Sequence, residues 1–294
     1  VTDGIVVVDK PAGLTSHDVV ARIRRMAGTR RVGHAGTLDP MATGVLVVGV
    51  GRGTRLLGHL AGTDKSYDAT IRLGAATTTD DAEGVVTGGA PAGGLDEGLI
   101  RSAVAALVGP LDQVPASVSA LKVAGERAHA IVRRGGRVDL PARRVQVHAF
   151  EVDRISYSGD HADLDVRVHC SSGTYVRALA RDLGARLSVG GHLTRLRRTR
   201  VGAFPLATAH TLEQLARCWE VQDLTTAALA SFPSLRLGPE QARRVRHGAR
   251  LDAVALPTVT APVAVLDPDG AFLALYAAVG DDATSATAVA VFVD

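Results

Sequence analysis

GHAGTLDPMATGVLVVGVGRGTR, residues 33 to 55, joins a glycine-bracketed loop that carries one carboxylate, Asp39, to an almost unbroken apolar run. The run from Val45 to Val50 reads as a β-strand. Asp39 precedes Pro40, which biases it towards an extended conformation, so taken alone it reads most simply as a turn or helix-capping aspartate. The glycines that close the stretch, GVGRGTR, have neither the G-x-G-x-x-G spacing of a dinucleotide site nor that of a P-loop, and they follow no complete βαβ unit. A nucleotide cofactor is therefore not expected.

Upstream, GIVVVDKPAGLTSHDVVARIRRMAG (residues 4 to 28) predicts a short strand, a turn and an amphipathic helix capped by Thr15 or Ser16 and ended near Gly28. Downstream, YDATIRLG has the alternation of a half-buried strand. EGVVTGGAPAGGLDEG, with six glycines in sixteen positions, is a surface loop, and Asp96 starts a helix through Leu107. Strands follow around VQVHAFEVDRISY and ADLDVRVHCSSGTY. The spacing of Val176, Leu179, Leu183 and Leu187 then predicts a helix that carries Arg177 and Arg181 on one side, four apart. Strands and helices mix without a regular βαβ rhythm, which implies an α+β (mixed α/β) fold on a mixed sheet. After about Thr225 the charge balance turns to −2 and short β-type runs flank DPDG, a hairpin turn. A catalytic-sized domain over 1–224 and a small, mainly β domain over 225–294 are expected.

The chain has 294 residues, 46% of them apolar. Its longest apolar runs fall far short of the roughly 20 residues that cross a bilayer, and Asp3 interrupts any signal-like pattern. A cytoplasmic protein with no membrane association is expected. Cys170 and Cys218, 48 positions apart, lack the spacing of a zinc site or disulfide framework and read as structural thiols. The H-x-E and P-C-x-x-C pieces of a zinc deaminase are also missing.

The net charge is only +3, but two segments are strongly basic. Residues 171 to 200 hold seven arginines against Asp182. Residues 122 to 144 hold Lys122, Arg127, Arg133, Arg134, Arg137, Arg143 and Arg144 against Glu126 and Asp139. Such local surfaces on a nearly neutral protein suit a polyanion whose phosphates are met at defined places.

GHAGTLDPMATGVLVVGVGRGTR closely resembles the catalytic segment of the TruB family of tRNA pseudouridine-55 synthases. The resemblance continues in order through GIVVVDKPAGLTSHDVV, DKSYDATIRLGAATTTDDAEG, ASVSALKVAGERAHAIVRRG, CSSGTYVRALARDLG and GGHLTRLRRTRVGAF. It implies a pseudouridine-synthase domain on a largely antiparallel sheet, a thumb-like RNA-binding insertion over about 114–144, and a PUA-like C-terminal domain. It further implies that Asp39 is the catalytic aspartate, that Tyr67 stacks on the target base, and that Tyr175 and Arg177 form the G-T-Y-x-R pair. Leu196 would close the pocket, and His34 would fill the space left in the T loop when the base is flipped out. Lys122, Arg133, Arg134, Arg197 and Arg198 would contact RNA. The expected partner is tRNA, through its T-arm stem-loop, met by a monomer.

Turning uridine into pseudouridine breaks the bond from N1 to ribose, rotates the uracil and rejoins it through C5, with no redox change. No cofactor or metal is needed. A carboxylate can attack ribose C1′ or uracil C6, or assist proton removal from the sugar, and the sequence leaves these open. Two other readings fit the sequence less well. A noncatalytic RNA-binding module would not need Asp39, and a guide-RNA-dependent relative is disfavoured by the insertion.

The insertion yields the first prediction. Its glycines and seven cations make it costly to hold against the body without an anion, so it should order on RNA. Neutralising Arg133, Arg134 and Arg137 together should weaken RNA binding and flatten its salt dependence by roughly one counterion per lost contact. Turnover of the saturated enzyme should change little. Binding isotherms at several salt concentrations, with single-turnover rates, check both parts.

Overall fold

The computed structural model describes residues 2–116, 122–123, 126–127, 140–279 and 284–293. The strands are β1 (Gly4–Lys10), β2 (Val32–Ala35), β3 (Thr43–Val50), β4 (Lys65–Leu73), β5 (Ala76–Thr77), β6 (Val86–Gly88), β7 (Gly109–Gln113), β8 (Lys122–Val123) and β9 (Glu126–Arg127). They continue with β10 (Arg143–Ser158), β11 (His161–Cys170), β12 (Gly191–Val201), β13 (Phe204–Pro205), β14 (Ser234–Arg236), β15 (Leu251–Asp252), β16 (Val263–Leu266), β17 (Phe272–Val279) and β18 (Ser285–Val291). Of the insertion, residues 114–116 and 140–144 are described, and between them only the backbone of the β8–β9 hairpin. Arg133, Arg134 and Arg137, and the side chain of Lys122, lie outside the described residues.

A nine-stranded mixed sheet runs β1-β3-β12-β4-β11-β10-β7, with β2 on β3 and β13 on β12. The burial patterns of two strands explain their sequences. In β3, Val45 and Val47 pack with Ile5, Val7, Leu56 and Phe204 on one face, while Leu46, Val48 and Val50 pack with Val19, Ile23 and Leu212 on the other. A strand covered on both faces reads as a continuous apolar run. In β4, Tyr67, Ala69, Ile71 and Leu73 point into a core with Ile100, Val104, Leu179 and Leu183, while Ser66, Asp68, Thr70 and Arg72 face outward. The core helices are Glu97–Ala105, capped by Asp96, and Val176–Arg186.

Thr15, not Ser16, caps the helix Ser16–Ala27, in a capping box with Asp18. Gly28 ends that helix in the left-handed conformation. The DPDG turn joins β16 to β17 as expected, its Asp267 accepting from the backbone of Asp269 and Ala271. Neither cysteine is in a disulfide; Cys170 is buried, but Cys218 is exposed and is no core thiol. Among the described residues no helix is long and apolar enough to cross a membrane.

The C-terminal strands form a second sheet, β14-β16-β17-β18-β15. Tyr276, Leu273 and Val263 build its own core, while Leu266, Phe272, Leu275 and Phe292 join Ile5, Val7 and Leu56 in a shared one. The helix Leu224–Ser231 contributes Ala227 and Ala228 to that shared core.

Strand β12 runs antiparallel to β4 and meets β3 in a two-residue parallel contact, Arg197 with Thr43 and Arg198 with Gly44. Gly44 sits at φ +100°, where a Cβ would lie 2.2 Å from the Arg198 carbonyl oxygen. Only glycine fits between the strands. Gly44→Ala should therefore lower unfolding free energy by about 2–4 kcal/mol. Gly58→Ala, on a helix with open space around it, should cost nothing. Urea unfolding of the two variants tests the contrast.

Candidate active site

The loop between β2 and β3 is gripped by three side chains from distant parts of the chain. Ser16 Oγ accepts from the Leu38 amide (2.9 Å) and donates to the Leu38 carbonyl (3.2 Å), fixing the residue before Asp39. Lys10, fully buried, donates from Nζ to the carbonyls of Pro11 (2.9 Å), Leu14 (2.6 Å) and Pro40 (3.2 Å). Arg198 donates to Gly36 O (2.9 Å), Thr37 O (3.4 Å) and Val45 O (2.7 Å). Burial pulls the Lys10 amine down to about 8, with the Asp39 charge opposing it.

With its backbone held on both sides, Asp39 presents its carboxylate to Arg177. The guanidinium forks onto it, Nε to Oδ2 at 2.9 Å and Nη2 to Oδ1 at 3.1 Å. Such a bidentate pair fixes both the position and the plane of the carboxylate. The Arg177 side chain is 4% exposed and that of Asp39 35%, so the pair has a buried end and an open one. At the buried end Arg177 Nη1 donates to Thr79 O (2.9 Å) and lies 3.6 Å from Asp81 Oδ2. Asp81 is itself held by Thr79 Oγ1 and by the Glu83 amide. One turn along the helix, Arg181 pairs with Asp80 (3.2 Å) and Asp182 (2.8 Å). Burial raises the Asp80 carboxyl above its usual range, against the pull of Arg181 and Arg177.

Asp39 and Arg177 form the polar end of a pocket of about 320 Å³, at the small end of the range for single small ligands. Tyr67 and Leu196 supply its apolar wall from β4 and β12, with Ala61, Tyr175 and Val176 around them. Burial raises the Tyr67 hydroxyl above its ordinary value, Arg198 pulling the other way. Tyr67 therefore stays protonated at neutral pH. Tyr175, before the helix Val176–Arg186, is clamped through its backbone by Gln113, whose amide accepts from Tyr175 N (2.8 Å) and donates to Tyr175 O (3.2 Å).

The four residues expected at the centre, Asp39, Tyr67, Tyr175 and Arg177, thus line one pocket with Leu196. His34 does not line it. It lies on β2 edge-on to His17, with ring centroids 5.6 Å apart, and burial holds it down at about 4, so it is neutral. Arg198 also lines the pocket, but it and Arg197 are largely engaged within the protein. Arg198 is 1% exposed and spends its donors on loop carbonyls, because its position beside Gly44 turns it under the loop. Arg197 is tied to Asp9 (2.7 Å) and Thr43 (3.2 Å). Lys10, Asp81 and Gln113 were not singled out from the sequence, and Ser16 only as a possible helix cap. Two signals were available, a lysine closing the apolar strand GIVVVDK and an acid doublet in TTTDDAEG.

Comparison with known proteins agrees in extent. The family model "TruB family pseudouridylate synthase (N terminal domain)" matches residues 24–176. "tRNA pseudouridylate synthase B C-terminal domain" matches 177–259 and "tRNA Pseudouridine synthase II, C terminal" matches 232–293. The tRNA pseudouridine synthase B of Thermobifida fusca (strain YX) is 57% identical over 277 residues, covering 93% of this chain and 94% of that one. That of Mycobacterium sp. (strain KMS) is 58% identical over 273 residues, covering 92% and 91%. Among solved structures, an H/ACA ribonucleoprotein bound to a substrate RNA containing 2′-deoxyuridine superposes with a TM-score of 0.74 at 25% identity, over 99% of this chain and 85% of that one. A Cbf5-Nop10-Gar1 complex gives 0.74 at 27% identity, over 99% and 84%. With family models spanning residues 24–293 and relatives this similar along nearly their whole length, the chain belongs to the TruB family of pseudouridylate synthases.

Proposed function

We propose that this enzyme isomerises uridine 55 in the T loop of tRNA to pseudouridine, with Asp39 as its essential carboxylate. The observation that carries the reading is the fork of Arg177 on Asp39 at the polar end of a pocket walled by Tyr67 and Leu196. A uracil extruded from a folded loop would lie against the Tyr67 ring, with Leu196 on its other side and its glycosidic bond towards Asp39. Arg177 positions the carboxylate, and Asp81 and Thr79 position Arg177. Because the carboxylate is aimed before substrate arrives, little reorganisation is left for the reacting complex.

The same reading includes residues 1–224 as the catalytic domain and 225–294 as a PUA-like domain. It has the enzyme acting in the cytoplasm as a monomer, on the T-arm itself and without a guide RNA. Two features support direct action: the insertion rooted at Gln113, and a complete set of site residues within one chain. His34 would enter the T loop from β2, and Lys122, Arg133 and Arg134 would meet phosphates.

Purified protein should release tritium from 5-tritiated uridine in an unmodified T-arm stem-loop with no other RNA present. Asp39→Asn should abolish that release while keeping RNA affinity within several-fold, because the lost group acts in the chemical step. Activity of the variant above a few per cent of wild type would refute the assignment.

Lys10 gives a pH prediction. Its ammonium has three donors for three carbonyls; the neutral amine has two, so deprotonation releases part of the loop. Lys65, also pulled down to about 8 by burial, serves only the carbonyls of Ala61 and Thr63 and can hold both when neutral. The maximal rate should therefore fall as pH rises through about 8. Folding stability should not fall with it. The folded value lies below the ordinary 10.5, so between 8 and 10.5 the unfolded chain holds the extra proton and this titration favours the folded state as pH rises. Rates and melting temperatures measured across pH 7 to 9.5 separate the two effects.

A further inference from the structure

On the outward face of the sheet, away from the core that holds Tyr67, three side chains converge for which the reaction has no use. Asp64 lies in the turn before β4, His148 on β10 and His169 on β11. Asp64 Oδ2 is 3.2 Å from His148 Nε2 and 3.9 Å from His169 Nε2, and the ligand atoms of all three lie within 4.8 Å of one another. We propose that Asp64, His148 and His169 form a binding site for a divalent transition-metal ion, zinc being the ion that fits, with the remaining position open to solvent.

Zinc takes imidazole nitrogen and carboxylate oxygen at about 2.0–2.2 Å, which puts tetrahedral ligands about 3.3 Å apart. The Asp64–His148 separation already has this value. The His169 side needs a closure of about 1 Å or less per ligand, within reach of side chains that are 37–48% exposed. Two further observations point the same way. His148 is the extra residue of a β-bulge, between the pairs Val147–Cys170 and Ala149–His169, and it stands beside His169 with ring centroids 4.9 Å apart. Bulges re-aim side chains at functional places. His169 Nδ1 lies 3.1 Å from Ser66 Oγ, so a proton on Nδ1 leaves the Nε2 lone pair facing Asp64. This is the arrangement that orients a ligating histidine.

Cys170 takes no part, because adjacent strand residues face opposite sides and its thiol is buried in the core. Arg200 borders the same recess and donates Nε to Gly202 O, so an anionic fourth ligand would face a positive charge.

A bound ion would join the Thr63–Asp64 turn to β10 and β11. That turn reaches the active-site wall: Lys65 Nζ donates to Ala61 O and Thr63 O, Ser172 Oγ donates to Ala61 O (3.0 Å), and Ala61, Lys65 and Ser172 line the pocket. The ion would thus brace one rim of the pocket without touching the reacting base.

The test uses the full chain, stripped of metal and titrated with zinc chloride by calorimetry, and with cobalt chloride by its visible absorption. One equivalent should bind, with a cobalt spectrum of nitrogen and oxygen ligation. His148→Ala and His169→Ala should each weaken it by about tenfold or more, and Ser66→Ala by about tenfold. Zinc should raise the melting temperature of the wild type but not of the His148→Ala/His169→Ala double variant. Equal melting temperatures of both proteins in chelator would show that the double variant folds. No zinc binding at about 100 µM, roughly a hundredfold above a micromolar Kd, or equal binding by the double variant, would overturn the proposal.

Discussion

The fork between Arg177 and Asp39 joins two parts of the chain 138 positions apart, and most of the catalytic half is arranged so that it can form. A buried guanidinium and a half-buried carboxylate attract strongly only if each is held where it meets the other without strain. The helix that carries Arg177 is fixed by Leu179, Ala180 and Leu183 in the core, and by Arg181 on Asp80. The loop that carries Asp39 has no regular structure of its own, so its backbone polar groups are taken up by Ser16, Lys10 and Arg198. Three buried polar side chains are thereby satisfied, and one carboxylate remains free to face the pocket.

Much of this was legible in the sequence. Period-two alternation revealed β4, and a continuous apolar run revealed β3, because burial of one face or of both writes those two patterns directly. Thr15 or Ser16, Asp96 and Gly28 marked helix ends in the sequence, and the capping box with Asp18 decides for Thr15. That Asp39 and Arg177 belong to one site came from the family resemblance, since nothing in local spacing relates residues so far apart.

What the sequence concealed was the side of each strand or loop on which a polar residue ends. Arg197 and Arg198 are neighbours in a basic run, yet one pairs with Asp9 and the other is turned under the loop beside Gly44. Charge clustering counted both as surface cations, because it carries no information on which strand lies alongside. Lys10 was hidden for the converse reason. A lysine at a strand end normally reaches solvent, and here two carbonyls of the turn that follows it, Pro11 and Leu14, and one of a later loop, Pro40, close over it. His148 and His169, 21 positions apart, became neighbours only through strand pairing and a bulge.

The position of β12 has a consequence for how the chain acquires its fold. It is among the last strands of the large sheet to be synthesised, yet it lies in the middle, between β3 and β4. Until it arrives, the strands already made form two separate ribbons, β1-β3 with β2, and β4-β11-β10-β7; β4 is open along its length, whereas β2 already covers Val47–Val50 of β3. A chain emerging from the ribosome therefore carries the unpaired β4 edge until about two-thirds of it is made. Insertion of one strand then closes that edge, and the same strand brings Arg198 under the Asp39 loop. Sheet closure and the placement of Arg198 under the catalytic loop both wait for β12, so a chain that ends before it would have an open β4 edge and no Arg198 to hold the loop.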